Sequence, residues 1–482
     1  MSAVFRLIAS CIILALIVSC SYSGTKQSDS GRTLPKTGVI HEKILCEGYP
    51  EKSYALYIPA GPAPLPSPKT GKGKISQHLF PVIIAFDPHG NGVLPLTLYK
   101  NLAEKYGFIL VGSNDSRNGL QAEEVRGIVT AMVHEVRVGY PIDTNRMYLL
   151  GFSGGARVAA MAAMYQVPVK GVIACGAGLG GAEQPMLYKF DYFGIAGTSD
   201  FNMNEMLQLD EPLSRAAIRH FITTFPGIHA WPPADVMEDG FIWITLNAMK
   251  DGVMEKDNAF LSAVFTTLGN RIKTLKKSGN LISAADAYHE EISFAEGLIP
   301  ADHFREELSA LEKQSDYQMQ VAYRFKILKK EEEEKQELMQ ALQAKDLGWW
   351  KVKIKSYDSR FTINDSRHGS TNPEDTLKNR RLMAFLSLFC YMNANAAITR
   401  QNESDAIKII AIYEMADAAN PEPNYMRAVL LARRSENEAA FGQLKMAIAK
   451  GFTDKDRLTR QTEFQEMSSS PSWIDLLKKI KL

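Results

Sequence analysis

The chain of 482 residues contains few cysteines and no excess of either charge. Its five cysteines form neither a Cys-x-x-Cys motif nor a paired spacing, so the sequence contains no recognisable zinc site and no disulfide framework. Lys and Arg number 55 against 54 for Asp and Glu, and this balance gives no electrostatic basis for binding nucleic acid. We expect no cofactor, no metal and no nucleic-acid partner. With 45% apolar residues the chain can bury a full core, and its length predicts two or more domains.

The first twenty residues have the composition of a targeting segment. They read MSAVFRLIASCIILALIVSC, with one basic residue, Arg6, before a nearly continuous apolar run over 7–18. A run of this length is too short to span a bilayer comfortably and is typical of the core of a signal peptide. The run ends in IVSC at 17–20, which resembles the lipobox of bacterial lipoproteins, where the cysteine is lipidated and becomes the mature N-terminus.

This resemblance predicts a signal peptide over 1–19 and a lipidated Cys20, through which the chain would contact membrane lipid. The segment over 20–37 is polar and poor in apolar residues, as a flexible tether is. We therefore expect an exported protein anchored to a bacterial membrane, on its periplasmic or cell-surface side. A plain signal peptide or an uncleaved anchor is the alternative. Three cysteines follow Cys20, and because the number is odd at least one is expected to be a free, buried thiol: Cys46, Cys175 and Cys390.

Between residues 38 and 240, segments typical of strands and of helices alternate. Continuous apolar runs rich in β-branched residues, such as LFPVIIAFD at 79–87, predict strands buried on both faces. Two short alternating runs at 38–45 and 52–60 predict a hairpin at the start. Intervening amphipathic segments predict helices, among them PLSRAAIRHFITTF at 212–225. We therefore predict an α/β domain over 38–240, with a mainly parallel sheet and flanking helices.

The segment LLGFSGGARVA at 149–159 places Ser153 where a predicted strand becomes a helix. Its core, GFSGG, matches Gly-x-Ser-x-Gly, the pattern of a strained turn that exposes a nucleophilic serine. Side chains in place of the outer glycines would collide with neighbouring backbone. The N-terminus of the following helix adds free N–H groups and a partial positive charge. A glycine-rich turn that contains a serine by chance is the alternative, but the strand before it and the helix after it favour the nucleophile.

A serine nucleophile needs a base, and the base needs a carboxylate that orients it. Asp200, in YFGIAGTSDFN, follows a predicted buried strand, where such a carboxylate belongs; a turn or helix-cap aspartate is the alternative. His229, in FPGIHAWPP, lies in a loop bounded by Gly and Pro, which suits a proton shuttle; a packing histidine is the alternative. Because the order Ser, Asp, His is that of triads built on such a turn, we predict Ser153, Asp200 and His229 as catalytic residues.

The charged oxygen of an acyl-transfer intermediate is stabilised by backbone N–H donors. The residue after the serine supplies one, and the segment FDPHGNG at 86–92 follows a predicted strand where a second is expected. The predicted oxyanion donors are Gly154, Gly90 and Asn91. His89 in the same segment competes with His229 for the role of base, but its position before Ser153 in the chain argues against it.

Five segments together resemble the α/β-hydrolase superfamily, closest to its poly(3-hydroxybutyrate) depolymerase and feruloyl esterase branch: KSYALYIPAG, FDPHGNG, NRMYLLGFSGGA, GIAGTSDFN and FPGIHAWP. The resemblance covers residues 50–235, a little under half of the chain. Its oxyanion segment reads Asp-Pro-His-Gly where secreted members often have Leu-His-Gly. The resemblance implies Ser153 as nucleophile, Asp200 as acid and His229 as base. It also implies an ester-bearing small molecule or polymer as substrate, and no cofactor.

Beyond residue 240 the sequence has mainly helical periodicity, and we predict an all-α domain over 241–482. The acidic run at 331–334 is interpreted as a solvated helix face. The segment WWKVKIKSYDSRF at 349–361 shows a brief strand-like alternation.

The helical segments over 409–452 resemble tetratricopeptide pairs. Ala416 and Pro421 match the second helix of such a pair and its end, and Ala447 recurs 31 residues after Ala416, short of the usual period of about 34. Such arrays bind protein or peptide in a concave groove, so a protein partner on this helical arm is one interpretation. An ordinary helical bundle is the other.

Three hypotheses about function follow from these patterns. The first is a membrane-tethered serine hydrolase that cleaves carboxylic esters through an acyl-enzyme. The second is a catalytically silent hydrolase fold that serves as a scaffold, with the helical arm as the binding part. The third is a serine peptidase of the same superfamily.

Overall fold

The computed structural model describes residues 34–61, 79–180, 186–357 and 372–480. The predicted signal peptide over 1–19 and the predicted lipidation site Cys20 lie outside these residues, as does most of the predicted tether. These features therefore stay predictions. Within the described residues a sheet with flanking helices is followed by a long helical region, which confirms the predicted fold class.

Eight strands form one sheet in the described part of the chain: β1 (Ile40–Cys46), β2 (Tyr49–Tyr57), β3 (Phe80–Phe86), β4 (Ile109–Ser113), β5 (Ile142–Phe152), β6 (Gly171–Cys175), β7 (Asp191–Gly197) and β8 (His220–Phe225). Their order across the sheet is β1-β2-β4-β3-β5-β6-β7-β8. The pairs β1/β2 and β2/β4 are antiparallel. The other five pairs are parallel, so the sheet is mainly parallel and opens with the predicted hairpin.

Six helices accompany the strands: α1 (Val93–Tyr106), α2 (Ala122–Gly139), α3 (Gly154–Tyr165), α4 (Met203–Leu207), α5 (Asp210–Arg215) and α6 (Ala234–Lys250). They cover both faces of the sheet. In β3, Val82 and Ile84 belong to the core that includes α2 and α3, whereas Ile83 and Ala85 belong to the opposite core with α1 and α6. Such a strand has no polar face, which explains its continuous apolar sequence.

The prediction of a helix over 212–225 is wrong. Helix α5 ends at Arg215, Ala217 has a φ of 52°, and strand β8 occupies His220–Phe225. The sequence HFITTF is aromatic and β-branched, and it pairs in parallel with β7 along its whole length. Pairing with the sheet therefore overrides the helical spacing of the sequence. As a consequence His229 follows a strand, as Ser153 and Asp200 do.

The helical region begins in the layer that packs on the sheet. The predicted division after residue 240 falls inside α6, whose Phe241, Trp243 and Ile244 lie in the same core as β3 and β7. The next helix, α7 (Asn258–Lys277), extends this core with Leu261. The first part of the predicted all-α domain thus packs together with the sheet.

Ten more α-helices follow α7 within the described residues: α8 (Leu281–Ala295), α9 (Asp302–Glu312), α10 (Ser315–Ala344), α11 (Leu347–Tyr357), α12 (Pro373–Thr399), α13 (Glu403–Ala416), α14 (Glu422–Arg433), α15 (Asn437–Ala449), α16 (Lys455–Arg460) and α17 (Pro471–Lys479). The strand-like alternation at 349–361 does not produce a strand in its described part. Trp350, Ile354 and Tyr357 are the buried residues of α11 and recur at helical spacing. Consecutive helices joined by short turns fit a bundle or a repeat, and the tetratricopeptide resemblance stays a prediction.

The interpretation of the acidic run at 331–334 as a solvated face is wrong for half of the run. Glu332 and Glu333 are exposed. Glu331 is fully buried and pairs with Arg381, and Glu334 accepts a hydrogen bond from the ammonium group of Lys378. Four consecutive residues of a helix point in all directions, so α10 turns part of this run toward α12.

Helix α12 is long and apolar enough to cross a membrane, with a mean hydropathy of 1.4 over its most apolar window. A third of that window, 33%, is buried inside the described protein. Core helices of soluble proteins satisfy the same criterion. The buried residues of α12 recur every four positions and belong to the core of the helical region: Leu382, Leu386, Cys390 and Ala394. We therefore treat α12 as a packed helix.

The three cysteines within the described ranges are free and buried: Cys46, Cys175 and Cys390. The expectation of a free, buried thiol is confirmed. Burial raises the pKa of both Cys46 and Cys390 to about 12, so these thiols stay protonated and unreactive near neutral pH.

Candidate active site

Ser153 lies at the sharp turn between β5 and α3. Its backbone has φ 53° and ψ −120°, which non-glycine residues rarely adopt. The outer glycines allow the chain to cross itself here. A Cβ on Gly151 would lie 2.2 Å from the carbonyl oxygen of Gly155, and a Cβ on Gly155 would lie 2.0 Å from that of Phe86. The N–H of Ser153 donates to the carbonyl oxygen of Cys175 at 2.8 Å, which fixes the turn to the end of β6.

Asp200 follows β7 and is almost completely buried, with 1% of its surface exposed. One carboxylate oxygen accepts the backbone N–H of Asn202 at 2.8 Å, and the other lies 2.9 Å from Nδ1 of His229. Gly176, with a φ of 64°, leaves the space that this pair occupies. A Cβ there would lie 2.9 Å from Oδ2 of Asp200 and 3.2 Å from Cε1 of His229.

His229 completes the arrangement from the loop that follows β8. Its Nε2 lies 2.9 Å from Oγ of Ser153, while its Nδ1 donates to Asp200. Two phenyl rings hold the imidazole, with ring centroids 4.7 Å away for Phe152 and 4.3 Å away for Phe201. The structure thus brings together the three predicted catalytic side chains from three strand ends. A neutral imidazole in this position can accept the proton of the serine hydroxyl.

The predicted oxyanion donors are placed differently from one another. The N–H of Gly154 is in the first turn of α3, where no intrahelical acceptor exists, so it is open toward the site. The N–H of Gly90 donates to the carbonyl oxygen of Asp87 at 3.2 Å, and that of Asn91 contacts Oδ1 of Asp87 at 3.4 Å. Both of these N–H groups are therefore engaged within their own loop.

The carboxamide of Asn118 lies directly over Gly154. A Cβ on that glycine would fall 1.8 Å from Oδ1 and 3.4 Å from Nδ2 of Asn118. The N–H of Asn118 donates to the carbonyl oxygen of Pro88 at 2.8 Å, so the two loops that flank Gly154 are joined. The oxygen Oδ1 is the nearer of its two polar atoms to Gly154, so Asn118 can donate to an oxyanion there only when its amide turns and brings Nδ2 into that place.

Asp87 organises the loop that follows β3. It accepts the indole N–H of Trp231 at 2.9 Å and the backbone N–H of His89 at 2.8 Å. Burial alone would raise the pKa of Asp87, but the hydrogen bonds from His89 and Trp231 outweigh it and lower the pKa. The hydrogen bond to Asp87 raises the pKa of His89. The side chain of His89 is 81% exposed, which places it outside the arrangement built on Ser153.

Two carbonyl groups beside Asp200 bind cations of the helical region. The guanidinium of Arg381 on α12 donates to the carbonyl oxygen of Thr198 at 2.7 Å. The ammonium group of Lys335 on α10 donates to that of Phe201 at 3.3 Å. Both cations pair with the buried Glu331, at 2.7 Å for Arg381 and 3.2 Å for Lys335. The helical region therefore contacts the backbone on each side of Asp200.

Sequence reasoning missed several residues of this site. Phe201 stands next to Asp200, and Gly176 directly follows strand β6, so the local sequence around both positions carried a signal. Asn118 and Arg381 have no such signal. Arg381 is 183 positions from Thr198 in the chain, and nothing in the local pattern of either segment indicates the contact.

Neither a family model nor a curated protein sequence matches the chain. Similar solved structures include an S-formylglutathione hydrolase from Staphylococcus aureus, with 11% identity, 44% of this chain and 99% of that chain covered, and a TM-score of 0.32. A hyperthermophilic esterase from Pyrobaculum calidifontis has 12% identity, coverage of 44% and 85%, and a TM-score of 0.33. An acylaminoacyl peptidase from Pyrococcus horikoshii has 13% identity, coverage of 43% and 40%, and a TM-score of 0.30. At these values we draw no conclusion about reaction or substrate from the likeness.

Proposed function

We propose that this protein is a serine hydrolase that cleaves carboxylic esters through an acyl-enzyme. One observation carries the proposal. The hydroxyl of Ser153, on a strained turn, lies 2.9 Å from Nε2 of His229, whose Nδ1 lies 2.9 Å from the buried carboxylate of Asp200. A serine hydroxyl becomes nucleophilic when a base that is itself oriented by a third group can take its proton.

The reaction has two halves. His229 takes the proton of Ser153 while Oγ bonds to the ester carbonyl carbon, and the carbonyl oxygen becomes an oxyanion. The tetrahedral intermediate then expels the alcohol, which takes the proton from Nε2, and the acyl group stays on Oγ. Water attacks this acyl-enzyme with His229 as base, and the acid leaves as the proton returns to Ser153. The carboxylate of Asp200 orients the imidazole and stabilises the imidazolium in both halves.

The oxyanion is stabilised by the open N–H of Gly154. The carboxamide of Asn118, turned so that Nδ2 faces the oxyanion, is the second donor in this proposal, because it lies over Gly154 whereas the N–H groups of Gly90 and Asn91 are engaged by Asp87. One such donor contributes about 3 kcal/mol of transition-state stabilisation.

Steady-state hydrolysis of p-nitrophenyl esters, alkyl esters and peptide amides tests the proposal. We expect the wild type to prefer esters, and Ser153→Ala to lower turnover roughly a millionfold while the protein stays folded. Hydrolysis of amides in preference to esters would favour the peptidase. Equal, background-level rates for the wild type and Ser153→Ala would favour the silent scaffold and contradict the proposal.

The location of the protein is a separate proposal, supported by the apolar run at 7–18 and the lipobox-like residues 17–20. We expect metabolic labelling with a fatty-acid analogue to tag the wild type and to fail for Cys20→Ser. The matched control Cys11→Ser changes a cysteine inside the apolar run and should keep the label. A Cys20→Ser variant that is still labelled would contradict lipidation at this residue.

A further inference from the structure

A groove with a volume of about 980 Å³ opens beside His229, between the loops that follow β7 and β8 and helices α11, α12 and α13. The wall formed by these two loops is lined by Ser199, Phe201, Ile228 and His229. Its volume is in the range of small-molecule binding sites, and it reaches a group that touches the nucleophile. A substrate whose carbonyl is at Ser153 would therefore extend into this groove.

Apolar side chains face the groove from both walls. Ile228, next to His229, is 67% exposed, and Leu388 on α12 is 38% exposed. Met383 and Met415 lie on the helical wall with them. Exposed apolar side chains that line one concave surface gain free energy when an apolar group covers them.

The groove also carries an excess of positive charge. Lys351, Lys355 and Arg380 line it, whereas Asp417 is the single carboxylate among its described lining residues. Asp417 already accepts hydrogen bonds from Ser387 at 2.8 Å and from Asn420 at 2.9 Å. Arg380 is exposed and makes no side-chain hydrogen bond or ion pair within the described residues. A guanidinium in this state binds a carboxylate or another anion.

We propose that this groove binds the non-reacting part of the substrate, an extended apolar group that ends in an anionic group. This proposal rests on the proposed function, since it assigns the substrate class of the same site. The apolar segment lies between Ile228 and Leu388, and the anionic end lies at Arg380. An ester of an amphipathic acid fits both features, whereas a short neutral ester leaves the groove empty.

The test compares two substrates with chains of the same length, p-nitrophenyl octanoate and the p-nitrophenyl half-ester of suberate, at low ionic strength. For Arg380→Gln we expect kcat/KM to fall about fivefold for the half-ester, as for a partly exposed ion pair, and to stay unchanged for octanoate. The control Arg400→Gln removes an exposed arginine that directly follows the far end of the same helix, and it should alter neither value. Equal kcat/KM values for the half-ester in the wild type and Arg380→Gln would contradict the binding of an anionic group at Arg380.

The apolar segment is tested in the same helix. For Leu388→Asn we expect kcat/KM to fall about tenfold for both substrates, the effect of losing apolar contact in a pocket. Met392→Asn, one turn further along and 57% exposed outside the groove, is the control and should leave both values unchanged. Equal losses of kcat/KM in Leu388→Asn and Met392→Asn would contradict the binding of an apolar group at Leu388.

Binding without reaction separates this proposal from the proposed function. Calorimetry with the monoethyl ester of suberate on Ser153→Ala measures the affinity of the groove alone. If the wild type hydrolyses no ester, but Arg380→Gln weakens this binding, the groove stands and the hydrolase proposal fails. If hydrolysis proceeds and neither groove variant changes binding or rates, the hydrolase stands and the groove proposal fails.

A different observation, the buried ion cluster of Arg381, Glu331 and Lys335, carries a second inference. Arg381 is 1% exposed and Glu331 is 0% exposed. Arg381 binds the carbonyl of Thr198 and Lys335 binds that of Phe201, so two donors hold the turn that carries Asp200. Buried charges are costly unless they are paired and hydrogen-bonded. Here Glu331 pairs with both cations, and a carbonyl oxygen of the site accepts a hydrogen bond from each of them.

We infer that Arg381 is a positioning residue, which acts through Thr198 to hold the carboxylate of Asp200 against His229. For Arg381→Lys, which keeps the charge opposite Glu331 but loses the planar fork, we expect kcat to fall about a hundredfold with p-nitrophenyl acetate and KM to stay unchanged.

The control for stability is Arg146→Lys, a buried arginine paired with Asp143 at 2.8 Å at the other end of β5. It should lower the unfolding temperature as Arg381→Lys does, but leave kcat unchanged. An Arg381→Lys variant with wild-type kcat would overturn the inference. So would an equal loss of kcat in Arg146→Lys.

Discussion

The strained backbone of Ser153 predicts that glycine is more stable than alanine at this position. With φ 53° and ψ −120°, the residue lies outside both helical regions and the strand region. The turn cannot relax, because the Ser153 N–H donates to the carbonyl oxygen of Cys175. The backbone is also closely packed at Gly151 and Gly155, where an added Cβ would lie 2.2 and 2.0 Å from a carbonyl oxygen. Such strain costs about 1–3 kcal/mol for a residue with a Cβ. Glycine lacks the Cβ but loses about 0.5–1 kcal/mol through the entropy of the unfolded chain.

The difference between these two effects makes Ser153→Gly more stable than Ser153→Ala by about 1 kcal/mol, within a range of about 0–2.5 kcal/mol. Both variants lack the hydroxyl, so the contact with His229 cancels in the comparison. Urea unfolding followed by circular dichroism measures the difference. The control pair Lys329→Ala and Lys329→Gly, at an exposed position inside α10, should show the opposite sign, with glycine less stable by about 1 kcal/mol. An alanine variant at least as stable as the glycine variant at position 153 would refute the reasoning.

Three further predictions concern single residues. In Gly155→Ala the new Cβ would lie 2.0 Å from the Phe86 carbonyl oxygen, so the free energy of unfolding measured in urea should fall by about 3 kcal/mol. In the control Gly442→Ala the new Cβ has nothing within 4 Å, and the free energy of unfolding should rise by about 1 kcal/mol. Similar effects at both sites would contradict the steric account. Asn118→Ala should lower kcat for esters about a hundredfold without changing KM, and an unchanged kcat would remove it as an oxyanion donor. Burial raises the pKa of Glu291 from 4.5 to about 7, so the folded protein binds this proton more tightly and loses stability as pH rises between these values. Glu291→Gln should therefore be more stable than the wild type by about 3 kcal/mol above pH 7 and equal to it below pH 4.5, and a difference that is the same at both pH values would contradict this.

The sequence was informative where local sterics decide the structure. The turn at Ser153 needs glycine at 151 and 155 because backbone crosses there, so its pattern is visible without a structure. The buried strands are visible for a similar reason, since a strand covered on both faces has no polar positions. The convergence of Asp200 and His229 on Ser153 was predicted from the order of the three residues along the chain, with Asp200 after a predicted strand and His229 in a loop bounded by Gly and Pro.

Other features depend on contacts that no local pattern records. Strand β8 was predicted as a helix because the spacing in PLSRAAIRHFITTF is helical, and only its pairing with β7 decides otherwise. The burial of Glu331 among four consecutive glutamates depends on Arg381, far along the chain on another helix. The groove beside His229 is formed by residues from both halves of the chain, so neither half predicts it alone.

Labelling with a fluorophosphonate probe tests the central claim most directly, because only an activated serine reacts with it. We expect the wild type to take up one probe per chain, on the peptide that contains Ser153. His229→Ala should react far more slowly, and Ser153→Ala should not react. Absence of labelling in the folded wild type, or a probe attached to a different serine, would contradict the account.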